Sequence, residues 1–143
     1  MSVVTDMNEL KEILLSTKTI AAFGLSSSDE KESYWIVSYL QEQDYRIIPV
    51  NPKADEILGE KAYPDLESIP DKVDVVQVFR KSEDVPPIVD SAIKIGAKVV
   101  WMQVGIENHE AAKTASDAGL KVVMNACMRM THRALIGPKP MNI

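Results

Sequence analysis

Five short runs rich in β-branched residues, separated by segments of helical period, lie between residues 18 and 124, and no other feature of the chain restricts its fold as much. Strands alternating with helices are satisfied by a parallel sheet whose connections cross over it as helices. The runs cover 19–23, 45–50, 73–79, 97–102 and 120–124. Each is mostly apolar on both faces, as strands covered by helices on either side must be. The expected fold class is α/β.

The segments between them carry the other period. Met7, Leu10, Leu14 and Thr17 line one side of an entry helix over about 6–17, and Trp35, Ile36, Tyr39, Leu40 and Gln43 do so after the first strand. Val85, Ile88, Val89, Ala92 and Ile93 repeat the pattern up to a helix stop at Gly96. Pro86 and Pro87 fit only the first turn of that helix, where N–H groups have no intrahelical partner, and Asp84 is its expected cap. Ala111, Ala112, Ala115 and Ala118 mark the last expected helix, ended by Gly119. The span 52–71, with three prolines, reads as a loop with one short extended piece around 60–63, and the tail from about 136 is expected to be mobile.

A length of 143 residues suits a single domain over 1–143, and 45% hydrophobic with 26% charged residues is a globular balance. No apolar run reaches the length of a membrane span, and the first residues lack a secretory pattern, so the default address is cytoplasmic. One cysteine, Cys127, excludes an internal disulfide and a multi-cysteine zinc site, while His109 and His132 stand too far apart for a local metal motif. A net charge of −5 disfavours nucleic acid and anionic membranes as partners.

Ligands of open parallel sheets bind beyond the carboxyl ends of the strands, where loops and helix N-termini gather. The first such end carries Gly24-Leu25-Ser26-Ser27-Ser28-Asp29-Glu30-Lys31. Its backbone N–H groups and hydroxyls suit a phosphate, although Ser27 and Glu30 equally suit a helix capping box. A nicotinamide dinucleotide site would offer three glycines there and a carboxylate at the second strand end. This chain has only Gly24 at the first and Asn51-Pro52-Lys53 at the second, which favours a phosphorylated ribose. Lys31, Lys53, Arg80 and Lys81 gather positive charge at the same edge, although single lysines near loops are commonly plain surface residues.

The stretches Phe23-Gly24-Leu25-Ser26, Pro49-Val50-Asn51-Pro52, Tyr63-Pro64-Asp65-Leu66, Val73-Asp74-Val75-Val76, Phe79-Arg80 and Trp101-Met102-Gln103 resemble the small bacterial CoA-binding proteins. Those are similar to the N-terminal nucleotide-binding domain of the succinyl-CoA synthetase alpha subunit. The resemblance runs colinearly from about residue 6 to 135. It implies a single Rossmann-type domain, a five-stranded parallel sheet with helices on both faces, and a coenzyme A site at the strand ends. Carried over, Gly24, Ser26 and Ser27 would hold the pyrophosphate. Asn51, Pro52 and Lys53 would hold the adenosine 3′-phosphate end. Phe79 and Arg80 would wall the groove, and Gln103 and Gly105 would lie near the pantetheine path. The family usually has a proline and an arginine in the first loop, where this chain has Ser28-Asp29-Glu30-Lys31.

No nucleophile beside a base is visible, so catalysis is not expected of the single chain. His109 opens the alanine-rich helix and reads as surface or cap, and His132 reads as structural. Cys127 has two readings: a small buried hydrophobe, the commoner fate of a single cysteine, or a thiol near the CoA thiol able to exchange disulfides with it. Two functions follow. One is a stand-alone CoA or acyl-CoA binding protein without chemistry of its own. The alternative is an enzyme on the same fold, either an NADP-type oxidoreductase or an acyl-CoA-handling protein completed by a partner chain.

Overall fold

In the computed structural model, which describes residues 3–139, the five apolar runs form one parallel sheet. Its strands are β1 (Thr19–Phe23), β2 (Arg46–Val50), β5 (Val75–Val78), β6 (Val99–Met102) and β7 (Lys121–Val123), in the order β2-β1-β5-β6-β7. The chain steps from β1 to one side and then crosses to the other, so the order reverses between β1 and β5. That reversal opens a crevice at their carboxyl ends. Two residue pairs form the small hairpin β3 (Glu56–Ile57) and β4 (Glu60–Lys61), where one extended piece was expected.

The pleat sends alternate residues into two separate cores. Ala21, Ile48, Val50, Val76, Val78, Val100 and Met102 pack on one face beneath α3 (Val85–Lys94) and α4 (His109–Asp117). Ile20, Ala22, Ile47, Val75, Val99 and Trp101 pack on the other beneath α1 (Met7–Ser16), α2 (Glu32–Glu42) and α5 (Met128–Leu135). The fold is thus a single α/β domain with helices on both faces of a five-stranded parallel sheet.

Several local expectations change. A fifth helix, α5, follows β7, so the alanine-rich α4 is not the last. Met7 and Trp35 point outward, and the buried stripes are Leu10, Ile13 and Leu14 on α1, and Ile36, Val37 and Leu40 on α2. Both outward residues satisfy the helical period one step from the buried arc, and the indole of Trp35 donates to the Asp29 carbonyl at 2.6 Å. Asp84 occupies the N-cap position of α3 but makes no capping bond, because its carboxylate turns to Arg80.

Chain ends close the fold. Val4 N–H donates to the Val122 carbonyl at 2.7 Å, with Val3 bridged in parallel to Val122, so the segment before α1 covers the free edge of β7. The backbone N–H of Lys139 donates to Gln43 Oε1 at 2.8 Å and its ammonium pairs with Asp44 at 3.0 Å. The rest of the expected mobile tail, residues 140–143, lies outside the described residues.

Candidate functional site

The carboxyl end of β1 turns at Gly24, whose φ of +86° is a left-handed conformation that glycine adopts without penalty. A second reason for glycine is space: a Cβ there would meet Arg80 Cδ at 3.0 Å and Cγ at 3.2 Å. The stem of Arg80 therefore lies directly on the turn, across the crevice between β1 and β5. Its guanidinium reaches Asp84 one helical turn on, at 3.3 Å, with both side chains substantially exposed.

Asn51 organises the neighbouring strand end. Its Nδ2 donates to the Leu25 carbonyl at 3.0 Å, and its Oδ1 accepts the Lys53 N–H at 2.9 Å. One side chain thereby locks the loop after β1 to the turn after β2, which is a positioning role. The chain then returns to β2: Asn51 N–H donates to the Tyr63 carbonyl at 2.9 Å, and Tyr63 N–H to the Pro49 carbonyl at 3.0 Å. This pairing sets Pro64, Asp65 and Leu66 beside the strand end.

Together these segments enclose a groove of about 620 Å³. Val50, Leu66, Pro64, Pro87 and Ile88 give it apolar lining, and Phe23 and Gly24 contribute from β1 and its turn. Its polar lining comes from Asn51, Lys53, Asp65, Arg80, Asp84 and Ser91. Two cations and two carboxylates thus share one space. Arg80 is paired, whereas Lys53 has no carboxylate within 4 Å among the described residues. An apolar cleft with a few placed polar groups is the usual form of a small-molecule site.

Of the residues expected from sequence, Gly24, Asn51, Pro52, Lys53 and Arg80 line this groove. Ser26, Ser27 and Lys31 stand in the adjoining loop, outside its lining. That loop is held by its own bonds: Ser26 N–H to Ser33 Oγ at 3.2 Å, Ser28 N–H to Ser26 Oγ at 3.1 Å, and Glu30 N–H to Ser28 Oγ at 3.3 Å. The capping box of Ser27 and Glu30 does not form. Lys31 takes the N-cap position of α2 without a side-chain cap bond. Phe79 packs into the core beneath α1, α2 and α5, away from the groove.

Gln103 is buried, its Oε1 accepting Gln77 Nε2 at 3.1 Å and the Met128 N–H at 3.0 Å. The Gly105 N–H donates to Asn125 Oδ1 at 2.7 Å. Both therefore serve the frame between β6 and α5 and stand apart from the groove. Sequence reasoning gave no site role to Phe23, Pro64, Asp65, Leu66, Asp84, Pro87, Ile88 and Ser91, although Phe23, Pro64, Asp65 and Leu66 stand in stretches that carry the family resemblance. The sheet-facing period of α3 held a signal for Ile88, because a helix starting at the carboxyl edge must aim its first apolar residues there.

Cys127 is half-buried and free at the N-cap position of α5. His109 is exposed at the start of α4, where Asn108 caps by accepting the Ala111 N–H at 2.9 Å. His132 is buried, shares a 2.9 Å hydrogen bond through Nδ1 with the Tyr39 hydroxyl, and meets the Tyr39 and Tyr45 rings edge-on. Burial pushes the His132 pKa down. It also pushes the Tyr45 hydroxyl up to about 12, with Tyr39 beside it adding to the rise.

Residues 18–133 match the family model of the CoA binding domain, a span that covers the whole sheet and every groove residue. The chain belongs to the CoA binding domain family. It is 40% identical over 124 residues to the uncharacterized protein YneT of Bacillus subtilis, covering 87% of this chain and 92% of that one. Among solved structures, it resembles a hypothetical protein of Pyrococcus horikoshii with a TM-score of 0.90 and 44% identity, covering 93% and 94% of the two chains. It is also 32% identical over 81 residues to an ADP-forming acetate–CoA ligase of Methanocaldococcus jannaschii. That match spans 57% of this chain but only 12% of the ligase. The likeness expected from sequence is to the N-terminal nucleotide-binding domain of the succinyl-CoA synthetase alpha subunit, and this match likewise covers only a small part of a much longer CoA ligase. Among the described residues, no helix is long and apolar enough to cross a membrane.

Proposed function

We propose that this chain is a cytosolic coenzyme A or acyl-CoA binding protein that carries out no turnover alone. The adenosine end of the ligand enters the groove between β2, β1 and α3. The observation that carries this reading is the convergence of Gly24, Asn51, Pro52, Lys53 and Arg80 on one cleft at the strand-order reversal. The residues suit the group. Apolar side chains from Val50, Leu66 and Ile88 match a flat heterocycle, and Lys53 offers an unpaired ammonium to a phosphate. The chain's −5 charge provides no general attraction for a polyanion, so these local contacts supply it.

Thermal unfolding with CoA, acetyl-CoA, NADP and NAD tests the reading, because a ligand bound by the native state alone raises apparent stability. CoA and acetyl-CoA are expected to raise the melting temperature at concentrations where NAD and NADP do not. A larger rise with NADP than with CoA would favour the oxidoreductase alternative. Acyl-CoA hydrolysis, ligation or dehydrogenation by the purified single chain, abolished by a groove substitution, would overturn the non-catalytic reading.

A further inference from the structure

The groove holds a carboxylate that the end of β2 does not itself supply. Asp65 arrives there because the Val50–Tyr63 bridge folds the chain back along β2. Its Oδ1 accepts both the Ser68 N–H at 2.8 Å and the Ser68 hydroxyl at 2.6 Å, which fixes the carboxylate. Oδ2 has no partner among the described residues and is open to accept one more hydrogen bond. Lys53 lines the same groove, with its backbone set by Asn51 and its ammonium unpaired. One fixed acceptor and one cation therefore serve a single ligand end.

Resting on the coenzyme A reading above, we infer that Asp65 is the residue that reads the ribose, accepting its free 2′-hydroxyl while Lys53 meets the 3′-phosphate. A 3′-phosphorylated adenosine supplies both groups in that arrangement. A 2′-phosphorylated adenosine, as in NADP, exchanges them and presents its phosphate to a carboxylate whose Oδ1 Ser68 already holds in place. Lys53 has a flexible stem and follows a phosphate to either position, so discrimination between the isomers falls to Asp65. Asp84, the other groove carboxylate, is occupied by Arg80.

Adenosine 3′,5′-bisphosphate and adenosine 2′,5′-bisphosphate carry the same charge, so comparing them removes bulk electrostatics. Calorimetry of each is run at fixed salt against wild type, Asp65→Asn and Asp65→Ser. Both replacements keep an oxygen able to accept the Ser68 N–H, and matching melting temperatures verify the fold. Wild type is expected to prefer the 3′,5′ isomer by about tenfold, the scale of one well-placed polar contact. Both variants should bring the two isomers to within about threefold, chiefly by gaining affinity for the 2′,5′ isomer, as the loss of a carboxylate facing a phosphate requires. Equal binding of the isomers by wild type, or a preference that survives in both variants, overturns the role of Asp65 and leaves the groove as the nucleotide site. Binding of neither isomer overturns the groove assignment itself, and this inference with it.

Discussion

Lys53 and Arg80 both line the groove but enter it differently, and the difference predicts separable effects. Arg80 lies on Gly24 and is paired with Asp84, an exposed contact of the kind that contributes little to stability. Lys53 is unpaired and stands beside the β2 turn. Losing a charge-assisted hydrogen bond costs about 1.5–3 kcal/mol, roughly ten- to a hundredfold in affinity. Lys53→Ala should therefore erase most of the preference for CoA over 3′-dephospho-CoA, whereas Arg80→Ala should weaken both ligands alike. Calorimetry of the two ligands against the three proteins checks this, and unchanged CoA affinity in both variants would place the site elsewhere. Gly24→Ala tests the turn itself. Its left-handed φ costs an L-residue about 1–2 kcal/mol, and the new methyl group must displace the Arg80 stem. Urea unfolding should show that loss, and CoA affinity should fall with it. Gly24, Asn51, Lys53 and Arg80 were legible in the sequence because each lies at or within three residues of the end of a β-branched run. Asp65 stands in a motif of the resemblance, but its place in the groove was not legible, since a pairing between residues 50 and 63 leaves no local period.

At the scale of elements, α5 shows what the periodic reading could not see. Its inward positions are Met128 and His132, and two arginines, Arg129 and Arg133, occupy the same short stretch, so no apolar stripe marks it as a helix. Beside the buried Met128 side chain, a polar junction holds the start of α5. The Met128 N–H and Gln77 Nε2 both donate to Gln103 Oε1 inside the core, where an unpaired group is costly. Gln103→Ala leaves two buried donors without an acceptor, at about 1–3 kcal/mol each. The expected result is a stability loss near the sum, read by denaturant unfolding, with CoA affinity changed less than about threefold because Gln103 stands outside the groove. A large affinity loss at retained stability would instead put Gln103 on the ligand path. Strand positions in the parallel sheet were legible for the opposite reason: sandwiched parallel strands are apolar on both faces, and each strand of that sheet falls within its expected run.

Two groups far apart give the whole molecule a stability profile with two acid steps. His132 is buried among the Tyr39 and Tyr45 rings, so a proton on its ring would be taken out of water. Burial holds its folded pKa below 6.5, so between the two values the unfolded chain binds more protons than the folded one. Its stabilising contribution is complete above about 6.5, the unfolded histidine value, and is lost as pH falls below it. Asp74 sits at the amino end of the sheet, at the opposite edge from the groove. Burial pushes its carboxyl up, but the Lys18 and Thr19 N–H groups, each at 3.0 Å, and Lys98 at 3.6 Å outweigh that and hold it low. Its contribution is complete above the unfolded value of 3.8 and is lost as pH falls through the lower folded value. Melting temperature measured against pH should therefore fall first as pH drops below about 6.5, and again below about pH 4. His132→Gln should flatten the first step and leave the second, and Asp74→Asn should do the reverse. A first step that persists in His132→Gln would assign it to another group and remove the α5 histidine from the acid response.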